Sequence, residues 1–185
     1  MNQEEAARHL KEATRSIPDY PKPGIVFRDL TTIFQDGKSF SIALESLISC
    51  LQEERSGHMQ FEKFAGIEAR GFVLAGALAA KMGGGVALLR KPGKLPYKKR
   101  GIEYKLEYGE DALEMHVDAI QPGERVVVVD DLLATGGTAE AGCKLVEEAG
   151  GKIVKVLFLV ELPDLQGRKK LAKYNIESVI TFEGG

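Results

Sequence analysis

The sequence predicts an α/β fold built on a mainly parallel sheet with helices on both faces. Three observations lead there. Short runs that are apolar at every position alternate with segments of helical periodicity, as expected of strands buried on both faces. Several of those runs are rich in β-branched residues, Val126-Val127-Val128-Val129 most of all. The 185 residues, 44% hydrophobic and 28% charged, have the balance of a soluble globular domain. A chain of that length can bury a core without disulfides or a structural metal. We expect one domain over residues 1–185.

The elements follow in order. Residues 3–17 place Ala6, Ala7, Leu10 and Ile17 at near-helical spacing, which predicts an amphipathic helix stopping at Pro18. Pro18, Pro21, Pro23 and Gly24 predict an irregular segment leading into Ile25, Val26 and Phe27. Phe40, Ala43, Leu44, Leu47, Ile48 and Leu51 form the apolar stripe of a second helix. Residues 64–67 read as a short buried strand. Residues 71–82 are small and apolar, like a helix packed tightly on a sheet, and Gly83, Gly84 and Gly85 end it. Residues 86–89 form another buried strand. Residues 125–129 and 153–160 add two more, with a helix over 139–149 between them, and a helix over 165–173 and a strand over 176–182 close the series. Residues 91–120 break the alternation. There, 104–108 and 113–117 show period two, which predicts an antiparallel excursion.

Composition excludes several function classes. A formal net charge of -2 is not that of a nucleic-acid-binding polycation. The first residues lack the basic-then-apolar order of a signal peptide, and no run approaches the roughly 18 apolar residues of a membrane span. Cys50 and Cys143 are far apart and form no CxxC pair, which fits a reducing compartment. We expect a cytoplasmic protein with neither nucleic acid nor membrane as partner. His9, His58 and His116 lie in unrelated segments, so no protein-bound catalytic metal is expected.

The most informative segment is Val126–Thr138. Four valines end in Asp130 and Asp131, and Leu132-Leu133-Ala134-Thr135-Gly136-Gly137-Thr138 opens a helix. Ligands of open α/β sheets bind beyond the carboxyl ends of such strands. Glycines let backbone N–H groups approach a phosphate, and a helix N-terminus favours negative charge. Thr135 and Thr138 offer hydroxyl donors. The two carboxylates suit either vicinal ribose hydroxyls or a metal shared with the ligand. Neither GxxxxGK[ST] nor GxGxxG is present. An ordinary strand–turn–helix with a capping Asp is the plainer alternative, but two Asp, two Gly and two Thr in nine residues exceed what a cap needs.

Val126–Thr138 resembles the phosphoribosyl-pyrophosphate (PRPP) motif of type I phosphoribosyltransferases. Residues 23–29 (PGIVFRD), 66–72 (GIEARGF), 90–96 (RKPGKLP), 106–109 (LEYG) and 159–162 (LVEL) are similar, in the same order, to the adenine phosphoribosyltransferase family. The resemblance covers nearly the whole chain, from Ile17 to Lys170. It implies the type I phosphoribosyltransferase fold, with a small N-terminal hood over residues 1–34 that binds the base and a mobile catalytic lid over 91–110. It also implies the reaction of adenine with PRPP to give AMP and pyrophosphate, magnesium carried by PRPP, and a homodimer.

The resemblance assigns roles residue by residue. Ala134, Thr135, Gly136, Gly137 and Thr138 would hold the 5′-phosphate, and Asp130 and Asp131 the ribose hydroxyls. Glu68, Ala69 and Arg70, with a cis peptide at the first pair, would face pyrophosphate, joined by Arg90, Lys91 and Lys94. For Arg70, position alone allows a surface salt bridge equally. The stretch from Arg90 to Lys105 holds seven basic residues and one acidic residue, Glu103. Taken alone it reads first as a solvated loop, then as a nucleic-acid patch with too few aromatics. A lid that excludes water from activated ribose is the reading the resemblance favours. Residues 97–103 fall where family sequences vary. Glu107 would sit at the purine imidazole ring as a catalytic residue with Arg70, although an outward Glu on an alternating strand fits the same pattern. Val26, Phe27, Arg28 and Leu162 would bind adenine. A lone Phe after a Pro/Gly segment is more often core. Two other functions share the scaffold: a PRPP-responsive regulator without chemistry, and a transferase for xanthine or another base.

Overall fold

The computed structural model describes residues 1–53, 57–58, 60–105 and 110–183. Helix α1 (Gln3–Ala13) starts at a capping box in which Asn2 and Glu5 exchange side-chain and backbone hydrogen bonds. It ends before the periodicity of 3–17 predicts. Thr14 turns extended, its hydroxyl donating to the Leu10 carbonyl at 2.8 Å. Ile17 therefore belongs to a strand, β1 (Arg15–Pro18), paired antiparallel with β2 (Val26–Asp29) so that Ile17 lies opposite Phe27. A long-range pairing overrides local helical spacing here.

Next come α2 (Thr31–Gln35) and α3 (Gly37–Ser49), the latter capped by Asp36 on the Ser39 amide at 2.7 Å. A two-residue pair, β3 (Gln52–Glu53) and β4 (Gly57–His58), is followed by β5 (Lys63–Ile67), α4 (Arg70–Met82) and β6 (Gly85–Leu89). The antiparallel excursion is a hairpin of β7 (Lys99–Lys105) and β8 (Glu110–His116). Then follow β9 (Arg125–Leu133), α5 (Gly137–Glu148), β10 (Lys152–Glu161) and β11 (Ile176–Thr181). The helix expected over 165–173 is instead two 3₁₀ turns, Pro163–Leu165 and Gly167–Lys169. Gln166 between them is left-handed, at φ 54°, which interrupts a helical ladder.

The central sheet has the order β11-β10-β9-β5-β6, and all of its neighbours are parallel. The four valines of β9 explain its burial. Val127 and Val129 join one apolar layer with Leu47, Leu74 and Leu78 of α3 and α4. Val126 and Val128 join the other, with Leu145 of α5 and Leu113 and Met115 of β8. Both faces are covered, so every position must be apolar. Each fully buried valine adds about 1.5–3 kcal/mol as an upper estimate. Cys143 lies in the second layer, and burial pushes its thiol up to about 12.

Candidate active site

Strand β9 runs past its valines through Asp130 and Asp131, and the chain then turns into α5. Gly136 is the N-cap of that helix, at φ 78°. A Cβ there would also lie 2.5 Å from the Gly167 carbonyl oxygen, so glycine is required twice over. Asp130 and residues 132–139 line a cavity of ≈ 90 Å³. The first amides of α5 have no intrahelical acceptor, as at any helix start, and carry partial positive charge. A larger cavity of ≈ 300 Å³ lies between α1 and α3 and shares none of these residues.

The acidic pair is held in an unusual state. The Asp131 amide donates to Asp130 Oδ1 at 2.9 Å. Arg70 Nε lies 2.6 Å from Asp131 Oδ2. The two are not aligned as a hydrogen bond, so Oδ2 is buried without a donor. Burial, and then the neighbouring charge of Asp131, push the Asp130 carboxyl well above its ordinary range. Burial also raises Asp131, against the pull of Arg70. Two carboxyl groups this close resist a second charge.

Arg70 opens α4 directly after Glu68–Ala69, whose peptide is cis. Glu68 Oε2 accepts from the Lys91 amide at 2.8 Å and from Arg90 Nε at 3.3 Å. Burial would raise Glu68, but these contacts outweigh it and hold the carboxyl low. A Cβ on Gly71 would meet the Val129 carbonyl oxygen at 2.7 Å and Asp130 Oδ1 at 3.1 Å. Only glycine lets α4 start this close to the end of β9.

On the hood side, Phe27 is half-buried rather than core, its ring 5.3 Å from Tyr20 and edge-on to it. Arg28 donates to Ser16 Oγ at 2.6 Å, and its guanidinium lies 4.4 Å from the Phe182 ring centre. Leu162 is buried, and its amide donates to the Leu133 carbonyl at 2.9 Å. The basic stretch is more tied down than its composition suggests. The Lys91 ammonium pairs with Asp111 and donates to the Tyr104 hydroxyl at 3.2 Å. Lys99 pairs with Glu114 at 2.8 Å, and Arg100 donates to the Glu148 carbonyl at 2.6 Å. Lys94 is exposed, and its carbonyl accepts from Arg90 at 3.1 Å. Glu107 lies outside the described residues.

Three comparisons bear on this arrangement. The phosphoribosyl transferase domain family model matches residues 31–184. An adenine phosphoribosyltransferase of Bradyrhizobium sp. (strain ORS 278) is 49% identical over 177 residues, 95% of this chain and 96% of the relative. The chain belongs to the adenine phosphoribosyltransferase family. The crystal structure of the family's member from Thermoanaerobacter pseudethanolicus is similar at a TM-score of 0.89 with 49% identity, covering 95% of this chain and 99% of that one. The Saccharomyces cerevisiae adenine phosphoribosyltransferase, complexed with D-2,5-dideoxy-2,5-imino-altritol 1,6-bisphosphate and adenine, is similar at 0.90 with 34% identity, covering 95% and 99%. The expected fold and family thus both hold.

The structure brings Arg70, Asp130, Asp131 and the 134–138 loop to the carboxyl ends of β5 and β9, with Glu68 linking Arg90 and Lys91 to that end of the sheet. The Lys91 ammonium instead faces Asp111 and Tyr104. Among the described residues, no three His, Cys, Asp or Glu side chains gather as metal ligands. The donor-free Oδ2 of Asp131 suits a hydroxyl group, or a cation that arrives with substrate. Residue types alone did not single out Asp111, Tyr104 or the Glu161–Arg168 pair described below. Their contacts join side chains 7 to 20 residues apart through turns and pairings that residue types do not announce.

Proposed function

We propose that this chain transfers the 5-phosphoribosyl group of PRPP to adenine, releasing AMP and pyrophosphate in purine salvage. The observation that carries the reading is the buried Asp131 Oδ2. It lacks a donor, lies beside Arg70 and belongs to the strand that leads into the glycine-rich start of α5. A ribose hydroxyl would supply the donor, the loop would take the 5′-phosphate, and Arg70 would take pyrophosphate.

In the reaction, adenine N9 forms a bond to C1′ of the ribose while the C1′–oxygen bond to pyrophosphate breaks. The N9 proton departs. Positive charge builds on the sugar, and the acidic pair stabilises it. Glu107 accepts a hydrogen bond from, or takes the proton of, the imidazole ring. Phe27 stacks on the base with Leu162 opposite, and main-chain groups at Val26 and Arg28 read the N6 donor and N1 acceptor. A 6-oxopurine reverses that order and leaves desolvated groups unpaired. Magnesium would arrive with PRPP and would supply charge neutralisation to the diphosphate leaving group. Residues 1–34 act as the hood, and residues 91–110 close as the lid with Arg90, Lys91 and Lys94 turned to pyrophosphate.

We place the reaction in the cytoplasm, where the free thiols Cys50 and Cys143 stay reduced. We read the working form as a homodimer. Val73 of α4 and Val86 and Leu88 of the edge strand β6 are 45%, 39% and 41% exposed, and parallel sheets rarely leave apolar positions uncovered. The test is to incubate the chain with magnesium-PRPP and adenine, hypoxanthine, guanine, xanthine or orotate separately and measure pyrophosphate. Release with adenine alone is expected. No release with any base removes the enzymatic reading, and release with hypoxanthine but not adenine removes the base assignment.

A further inference from the structure

The end of β10 holds a buried carboxylate that the reaction above does not use. Glu161 is 6% exposed. Its Oε1 accepts from Arg168 Nε at 2.7 Å, and its Oε2 accepts from Arg168 Nη2 at 2.8 Å and from Ser178 Oγ at 2.6 Å. The Arg168 guanidinium also donates to the Ile176 carbonyl at 3.2 Å. This is a two-pronged Arg–carboxylate pair, which fixes direction as well as charge.

What it fixes is the residue next to Arg168. Gly167 is buried against the phosphate loop. A Cβ on Gly167 would lie 2.3 Å from the Ala134 carbonyl oxygen and 2.7 Å from Leu133 Cδ1. From the other side, a Cβ on Gly136 would lie 2.5 Å from the Gly167 carbonyl oxygen and 3.1 Å from its Cα. The two backbones are in contact with no side chain between them. The segment leaving Glu161 passes through the left-handed Gln166, lays Gly167 on the outer surface of the loop, and returns Arg168 to the carboxylate it started from.

Resting on the reaction proposed above, we infer that Arg168 and Glu161 are positioning residues for the 5′-phosphate. Their pairing presses Gly167 against Ala134–Gly136 and so sets the cradle of α5. Leu162 has its own hydrogen bond outside the ion pair, from its amide to the Leu133 carbonyl. Loosening the clamp should therefore change the phosphate side of the site and spare the base side. A pair serving stability alone would lower the melting temperature and leave substrate constants unchanged.

The experiment compares wild type, Arg168→Ala, Arg168→Lys and Gly167→Ala by steady-state kinetics, by AMP binding in calorimetry and by thermal melting. Arg168→Ala should raise KM for PRPP and Kd for AMP at least ten-fold, with KM for adenine within three-fold of wild type. Arg168→Lys keeps the charge but loses the two-pronged geometry, and should fall between the two. Gly167→Ala leaves the ion pair intact, pushes directly on the Ala134 carbonyl and should reproduce the PRPP defect. If Arg168→Ala does not fold, Arg168→Lys and Gly167→Ala decide. PRPP and AMP constants within two-fold of wild type in the folded variants, or equal rises for PRPP and adenine, overturn the inference. A wild-type protein that turns over no adenine overturns the underlying reaction instead, and AMP binding by the same protein still tests the clamp.

Discussion

Arg70 Nε lies 2.6 Å from Asp131 Oδ2, across the gap between the start of α4 and the end of β9. The cation proposed for pyrophosphate and the carboxylate proposed for ribose thus neutralise each other across the site. PRPP offers an anion to the first and hydroxyl donors to the second, so its binding can replace the pair without stranding either charge.

Arg70→Gln tests that relationship. Without its cation, burial drives the Asp131 carboxyl further up. A group raised in the folded state contributes stability at low pH and loses it as pH rises through the folded value. The variant's deficit should therefore be largest at neutral and alkaline pH and shrink toward acid. Arg70 is 38% exposed, so solvent screening limits the loss to about 1 kcal/mol. Melts from pH 4 to 8 give the sign, and KM for PRPP should rise more than ten-fold.

Asp130→Asn should do the opposite to stability. The Asp130 carboxyl is raised by burial and then by Asp131, so its ionised form weakens the fold as pH climbs above the usual carboxylate range. Asparagine can still accept from the Asp131 amide. The variant should melt higher than wild type at pH 8, by on the order of 1 kcal/mol per pKa unit removed, with the gap closing at pH 4. Its kcat/KM should fall at least ten-fold. A melt unchanged with pH would rule out the raised carboxyl.

Glu107→Gln separates base chemistry from PRPP binding. It keeps shape and hydrogen-bonding capacity but removes the charge and the proton acceptor. Turnover should fall far more than PRPP affinity, by about 10²–10⁴-fold if the proton is transferred. Unchanged turnover removes the catalytic role.

Leu88→Asp addresses assembly. Leu88 is 41% exposed on the edge strand β6, so the substitution costs little within one protomer. Against a second copy it would bury an unpaired charge. Sedimentation should show a dimer for wild type and a monomer for the variant, with its melting profile otherwise kept. A wild-type monomer would overturn the reading.

Much of this was legible in the residues. The fully apolar Val126–Val129 run, the small residues of 71–82 and the Asp-Asp and Gly-Gly turn are local signals. Periodicity and turn chemistry act within a few positions, so the strand, the helices packed on it and the glycine-rich loop could be placed without a structure. Where local spacing misled, a distant partner had intervened. Ile17 pairs with Phe27 in a strand, and Gly167 packs on Ala134 where a helix was expected.

By itself, then, the sequence determined the layered α/β fold, the carboxyl end of β9 as the candidate site and the family. Only the tertiary structure decided which charges meet there. The Arg70–Asp131 contact exists because β5 and β9 are neighbours in the sheet, and the Glu161–Arg168 clamp because the chain doubles back onto the end of β10. Those pairings follow from strand order and loop return, which no local spacing of residue types encodes.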